Sequence, residues 1–134
     1  MKSVFEVKNP LPFDAAVFDT MKKRADELFS NREKKEYTQA IVLLSASGRE
    51  YYALIENALS EDKNEEKALI ERLSAENDTD ISRVLCVWQD GGIDIPSFAF
   101  RKLLLDSDSS NGDCGLFVVT SDGYSVIGLK NTIK

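Results

Sequence analysis

The chain has 134 residues, of which 43% are hydrophobic and 30% charged. This length and composition predict one globular domain, residues 1–134, that needs neither a disulfide nor a metal ion to fold. The 17 basic and 23 acidic residues leave a net charge of −6, which disfavours nucleic acid as a partner because both molecules would be negative. No apolar run approaches the ~20 residues that span a bilayer, so no membrane segment is expected.

The residue types present also limit the chemistry. The chain contains no His, which excludes Ser-His and Cys-His catalytic pairs and every His-ligated metal site. Its two cysteines are too few for a disulfide scaffold, and residues 1–6 lack the apolar core of a secretory signal. A reduced, cytoplasmic location is therefore expected.

The negative charge is concentrated in one segment. Residues 56–80 carry nine acids and three bases, a net charge of −6, whereas the rest of the chain is balanced. One interpretation is a solvated helix face with its flanking loops. The alternative is an acidic surface that binds a basic protein partner.

The first half of the chain predicts a helix and a hairpin. Residues 1–12, with Pro10 and Pro12, indicate an irregular N-terminal lead-in. Helical spacing of apolar side chains predicts a helix over 13–29. Residues 40–44 form a continuous apolar run, typical of a central strand covered on both faces, and residues 51–55 continue as the second strand.

The second half predicts two helices and three strands. Asn64 is a favoured N-cap for a helix whose buried side is predicted to contain Ala68, Leu69, Ile70 and Leu73. A strand over 84–88 and a loop over 89–95 precede a helix that starts at Pro96-Ser97, where Ser97 is a good N-cap. Phe98, Phe100, Leu103 and Leu104 are available to pack inward. Residues 116–120 and 124–130 form a final hairpin around Asp122-Gly123. This order predicts an α/β fold, a three-layer α/β/α sandwich on a five-stranded mixed sheet.

Three stretches, together with this order of elements, resemble the cytidine deaminases. Residues 48–58, GREYYALIENA, are similar to the family's G-R-x-Y-x-G-x-N-I-E-N-A hairpin. Residues 64–70, NEEKALI, are similar to its zinc helix C-A-E-R-x-A-I. Residues 96–104, PSFAFRKLL, are similar to P-C-G-A-C-R-Q-x-L, which carries the other two zinc ligands. The resemblance spans roughly residues 13–133 and implies a cytidine deaminase-like fold.

The zinc ligands of that family are missing from this chain. The resemblance places Asn64, Ser97 and Phe100 at the three former metal positions. Neutral Asn and Ser oxygens are weak ligands for zinc, and Phe cannot bind it. We therefore expect no zinc, no other cofactor and no deaminase activity. The remaining cysteines, Cys86 and Cys114, are interpreted as core or structural thiols.

A few residues could still contact a ligand. Glu66 aligns with the family's proton-shuttling Glu if one residue is dropped from the preceding loop, and Lys67 takes that position otherwise. Glu56 aligns with the family's ribose-binding Glu, although Leu54 replaces its Asn partner. Glu56, Asn57, Glu66 and Ser97 are the candidate ligand-binding residues.

Other side chains at the expected site have simpler interpretations. Trp88 and Phe98 could stack on a base, but core packing is the preferred interpretation. Arg101 could bind a phosphate, although an ion pair with a nearby acid is preferred. Residues 106–113 begin like a calcium loop, but the loop lacks the Glu at its twelfth position and its Gly is one place late.

Three hypotheses follow for the function. The first is a metal-free, inactive cytidine deaminase-like protein that binds a nucleoside or a related small molecule. The second is an interaction or regulatory module whose acidic 56–80 surface binds a basic partner. The third is a hydrolase that uses Glu66 and a water molecule. The resemblance also implies a homodimer or homotetramer, since neighbouring subunits of that family complete each other's pockets.

Overall fold

The computed structural model describes residues 4–30, 32–33 and 35–133. The helices are α1 (Ala15–Phe29), α2 (Asn64–Ala75) and α3 (Phe98–Ser107), and short 3₁₀ helices occupy Ser109–Asp113 and Leu129–Thr132. The strands are β1 (Gln39–Ser45), β2 (Glu50–Ile55), β3 (Ile81–Trp88), β4 (Ile93–Asp94), β5 (Gly115–Thr120) and β6 (Gly123–Gly128). None of the helices in these ranges is long and apolar enough to cross a membrane.

The strands form one mixed sheet in the order β2-β1-β3-β5-β6, as the α/β prediction requires. Only β3 and β5 run parallel; the other pairs, including the two-residue β4 against β3, are antiparallel. The sheet therefore has one strand more than the five predicted. This strand was missed because two residues after Gly91-Gly92 are too short to show a periodic pattern.

The helices cover both faces of the sheet, which confirms the three-layer architecture. In β1, Ile41 and Leu43 face a core shared with α2 and α3, whereas Ala40 and Val42 face a core shared with α1. Successive side chains of a strand point to opposite faces, so a strand covered on both sides must be apolar throughout. This burial on both faces explains why residues 40–44 form a continuous apolar run.

Several predicted boundaries move by a few residues. The first helix starts at Ala15 rather than 13, because the Asp14 carboxylate accepts the backbone N–H groups of Ala16 and Val17. The last strand ends at Gly128, and the predicted strand residues 129 and 130 belong to a 3₁₀ helix. Ala68, predicted to be buried, is exposed.

The predicted lead-in is irregular over the part that the structure describes; residues 1–3 lie outside it. It is nevertheless attached to the sheet. Phe5 N–H donates to the Val119 carbonyl at 2.8 Å, and Leu11 N–H donates to the Val126 carbonyl at 3.0 Å.

Candidate functional site

The N-termini of α2 and α3 lie side by side on one face of the sheet. Ser97 is the N-cap of α3, as predicted for a Ser immediately before a helix, and its Oγ accepts the Phe100 N–H at 3.1 Å. This hydroxyl also donates to Glu66 Oε2 at 2.9 Å. The side chains predicted from two separate motifs therefore meet directly.

Glu66 is the third residue of α2, and only 3% of it is exposed. Besides Ser97, its neighbour is Lys63, whose Nζ lies 3.8 Å from Glu66 Oε1 and donates to the Ala58 carbonyl at 3.0 Å. Lys67 is exposed to solvent. Glu66, not Lys67, therefore faces α3.

Asn64 does not cap α2, contrary to the sequence prediction. It is the first helical residue and is exposed, while Lys63 occupies the cap position without a side-chain hydrogen bond. The preceding Asp62 accepts the Asn64 N–H at 2.9 Å, so a carboxylate just before the cap position satisfies the first free amide of the helix.

Phe100 is fully buried and packs in the core with residues of α2 and β3. Trp88 is also buried, and its Nε1 donates to Asp94 Oδ2 at 3.2 Å, in agreement with the core interpretation. Phe98 was predicted to pack inward but is 55% exposed. It lies two residues before Phe100, about 200° away around a helix, so both rings cannot face the core.

Among the residues that the structure describes, Arg101 donates to backbone carbonyls instead of forming the ion pair preferred from the sequence. Its Nε donates to the Pro96 carbonyl at 3.1 Å, and one of its terminal nitrogens donates to the Thr132 carbonyl at 2.8 Å. Burial lowers the pKa of Arg101 below its usual value. The guanidinium thus joins the start of α3 to the C-terminal 3₁₀ helix.

Both cysteines are free thiols in the core, as expected from their positions. Burial raises the pKa of Cys86 well above its usual value and that of Cys114 to about 12. A thiol that stays protonated is neither a nucleophile nor a good metal ligand.

The three positions that the resemblance aligns with zinc ligands carry side chains that do not fit zinc, which prefers thiolates and imidazole nitrogens. They are an exposed amide at Asn64, a hydroxyl at Ser97 that already donates and accepts, and a buried phenyl ring at Phe100. Across the part of the chain that the structure describes, no three His, Cys, Asp or Glu side chains are grouped to hold a metal ion.

Glu56 and Asn57 follow β2 and are exposed. The Glu56 backbone is fixed, because its carbonyl accepts from the Thr38 hydroxyl at 3.2 Å and its N–H donates to the Glu65 carboxylate at 3.3 Å. Glu56 lines an open depression of about 210 Å³; the other lining residues are Arg32, Glu33, Lys35, Thr38 and Leu54. The four candidate ligand-binding residues are therefore divided between a hydrogen-bonded pair, Glu66 and Ser97, and this surface.

The acidic segment is only partly available to a partner. Glu66 is buried, Glu76 pairs with Arg49 at 2.8 Å, and Asp78 accepts from Tyr51 at 2.9 Å. Besides Glu56, four acids are exposed on α2 and the loop before it, and we call these four the acidic surface: Glu61, Asp62, Glu65 and Glu71.

The segment that begins like a calcium loop has a structural role instead. Asp108 caps the 3₁₀ helix at Ser109–Asp113 and accepts from the Thr79 hydroxyl at 2.9 Å. Asn111, which is fully buried, accepts from Ile81 N–H and donates to the carbonyls of Thr79 and Leu104.

Lys63 is the residue of this site that the sequence analysis missed. Its i,i+3 spacing to Glu66 was the available signal, because residues three apart share a helix face. That signal is weak on its own, since most such pairs lie in solvent.

The same fold occurs in solved cytidine deaminases. The enzyme from Mycobacterium leprae superposes with a TM-score of 0.61 at 20% identity, covering 87% of this chain and 96% of that chain. The enzyme from Mycobacterium tuberculosis gives a TM-score of 0.59 at 15% identity, covering 87% and 93%. A point variant of the latter gives 0.61 at 14% identity, covering 91% and 96%.

No family model matches the sequence, and no curated protein matches it significantly. At identities of 20% or less, the structural similarity establishes the fold alone. The chain has a cytidine deaminase-like fold, as the sequence resemblance implied.

Proposed function

We propose that this cytidine deaminase-like chain holds no zinc and does not deaminate cytidine. One observation carries this proposal: the buried Glu66 carboxylate accepts from the hydroxyl of Ser97, one of the positions aligned with the zinc ligands. Deamination by zinc enzymes needs a metal-activated water and a Glu that exchanges protons with it. A Glu that is 3% exposed and already accepts from the Ser97 hydroxyl is not free to exchange protons with such a water.

The test is to measure metal content and turnover on the same preparation. Mass spectrometry of the purified protein, after incubation with Zn²⁺ and desalting, should find far less than one zinc per chain. The absorbance change that accompanies conversion of cytidine to uridine should not exceed that of the buffer. Stoichiometric zinc, or turnover that Glu66→Gln abolishes, would overturn the proposal.

A chain without deaminase activity can still bind a ligand. The ligand that we prefer is a nucleoside or a related hydroxylated small molecule, bound beside Glu56. The depression there offers a carboxylate that accepts hydroxyl protons, an apolar wall at Leu54 and two cations, Arg32 and Lys35. Glu66 and Ser97 are occupied with each other, so this proposal depends on Glu56 and its neighbour Asn57.

A thermal-shift screen with cytidine, uridine, cytosine and cytidine monophosphate tests the binding. A ligand at a hundredfold its Kd stabilises the native state by about 2.7 kcal/mol, which is readily measured as a rise in Tm. The rise should disappear in Glu56→Gln and persist in Glu71→Gln, an exposed Glu outside the depression. A flat response to all four compounds would refute the binding.

The second candidate function is an interaction module, favoured by the four exposed carboxylates of the acidic surface. A basic partner would bind them with a strong salt dependence. Fluorescence anisotropy with a labelled lysine-rich peptide tests this. Charge reversal by Glu61→Lys with Glu71→Lys should abolish binding, whereas Asp122→Lys, an exposed site elsewhere, should weaken it only slightly.

We also propose that the chain forms a homodimer or homotetramer in a reduced, cytoplasmic setting, as its resemblance and its two free thiols suggest. Light scattering coupled to gel filtration measures the assembly directly. A monomer at all concentrations would refute the assembly and leave the binding proposal intact.

A further inference from the structure

Two helix N-termini converge on the Glu66 carboxylate. Glu66 lies in the first turn of α2, and its Oε2 is hydrogen-bonded to the N-cap residue of α3, Ser97. The free N–H groups of a helix N-terminus carry a partial positive charge that favours a nearby anion. One buried carboxylate therefore complements two helix dipoles at once.

The contacts around this carboxylate form a continuous chain. Phe100 N–H donates to Ser97 Oγ at 3.1 Å, and the same hydroxyl donates its proton to Glu66 Oε2 at 2.9 Å. A hydroxyl that donates to a carboxylate is polarised and becomes a better acceptor for the Phe100 amide. On the other side, Lys63 Nζ lies 3.8 Å from Oε1 and supplies the balancing charge.

Apolar packing completes the junction. The Phe100 ring is fully buried in the core that α2 and α3 share, one helical turn from the Ser97 cap. A charge buried to this degree strongly destabilises the fold when it has no partners. The Glu66 carboxylate therefore stabilises the chain only when α2 and α3 are both in place. The packing and the hydrogen bonds therefore require the same relative position of α2 and α3.

We infer that the Glu66–Ser97 pair, together with the buried Phe100 whose N–H donates to Ser97, is the joint that holds α2 to α3 in place of a metal ion. Glu66 is then a structural anion rather than a proton shuttle, and the stability of the chain does not depend on metal. This inference rests on the proposed absence of zinc, but it does not require that the chain bind any ligand.

A double-mutant cycle on thermal stability tests the joint. Glu66→Gln and Ser97→Ala should each lower Tm by several degrees, and the double variant should lose clearly less than the sum of the two. Glu71→Gln, an exposed Glu on the same helix, is the matched control and should leave Tm almost unchanged. Additive losses, or a Tm that rises in Glu66→Gln, would overturn the inference.

A conservative substitution, an amide-exchange measurement and the addition of Zn²⁺ distinguish the remaining outcomes. Ser97→Thr keeps a hydroxyl and should retain most of the stability that Ser97→Ala loses. If the double variant does not fold, amide exchange at Phe100 should still be faster in Glu66→Gln than in Glu71→Gln, and equal rates would refute the joint. A wild-type Tm that rises with Zn²⁺ would overturn the proposed absence of zinc as well, whereas additive losses without a zinc effect would overturn the joint alone.

Discussion

Tyr51 of β2 donates its hydroxyl to Asp78 Oδ2 at 2.9 Å, which ties the hairpin to the segment that follows α2. Ser47, in the turn of the same hairpin, donates to Asp78 as well, at 3.0 Å to Oδ2. Arg49 pairs with Glu76 at 2.8 Å. The hairpin motif that resembles the cytidine deaminases is thus used here to fix the C-terminal end of α2.

This contact predicts a pH dependence of stability. Burial raises the pKa of Asp78, but hydrogen bonds from Tyr51, Ser47 and Ser45 and the charge of Arg49 outweigh it, so the pKa lies below the usual value. A depressed folded-state pKa contributes stability above the unfolded value of roughly 4, and this stability is lost as the pH falls through the folded pKa. Asp78→Asn should therefore be less stable than wild type near neutral pH, by about 1 kcal/mol.

Urea denaturation of both proteins near neutral pH and again below about pH 3 measures the effect. The difference between them should shrink at the acidic end, because wild-type Asp78 is then protonated too. A difference that is constant over this range would mean that the charge of Asp78 does not contribute.

Phe100 and Phe98 provide a matched pair of substitutions. Phe100 is fully buried, so Phe100→Ala should lower the free energy of unfolding by about 3–5 kcal/mol through lost burial and a cavity. Phe98 is 55% exposed, so Phe98→Ala should cost less than about 1 kcal/mol. Chemical denaturation gives both values, and similar losses would contradict the placement of the two rings.

Asn111 is predicted to be among the least replaceable polar residues. Its side chain accepts from Ile81 N–H at 2.8 Å and donates to the carbonyls of Thr79 and Leu104, each at 2.9 Å. Asn111→Ala leaves these buried backbone groups unpaired and should cost about 2–4 kcal/mol. Asn131→Ala, at an exposed position, is the control, and denaturation curves that coincide for the two variants would contradict the prediction.

The two thiols should be unreactive in the folded protein. Both are buried, and burial raises the pKa of Cys114 to about 12, so little thiolate exists at a mildly alkaline pH. Iodoacetamide at about pH 8 should label neither cysteine in the native state and both in guanidinium chloride. Mass spectrometry counts the labels, and rapid native labelling of either thiol would mean that its segment opens readily.

Periodicity and local chemistry could be read directly from the chain. The run at residues 40–44 predicted a strand covered on both faces, and the order of elements predicted the α/β/α sandwich. Ser97 was identified as a cap because an N-cap interaction involves residues three apart in sequence. Phe100 and Trp88 were predicted to be core residues because apolar side chains at these spacings are usually buried.

The errors arose where a competing neighbour decided the outcome. The helix that Asn64 was expected to cap begins at Asn64 itself, whose N–H donates to Asp62, and the Pro96 and Thr132 carbonyls engage the guanidinium of Arg101. Each case involves a polar group with several possible partners. Spacing alone does not rank those partners, since the ranking depends on distances set by the folded chain.

By itself, the sequence determined the class of fold and the order of its main elements, because these depend on residue identity and short-range spacing. Only the tertiary structure decided that Glu66 and Ser97 meet at 2.9 Å, that Phe98 faces outward and that Glu56 lies on an open surface apart from them. Glu66 and Ser97, for example, are 31 positions apart in the chain. Such relationships exist only once α2 and α3 have packed on the same face of the sheet, which no local pattern encodes.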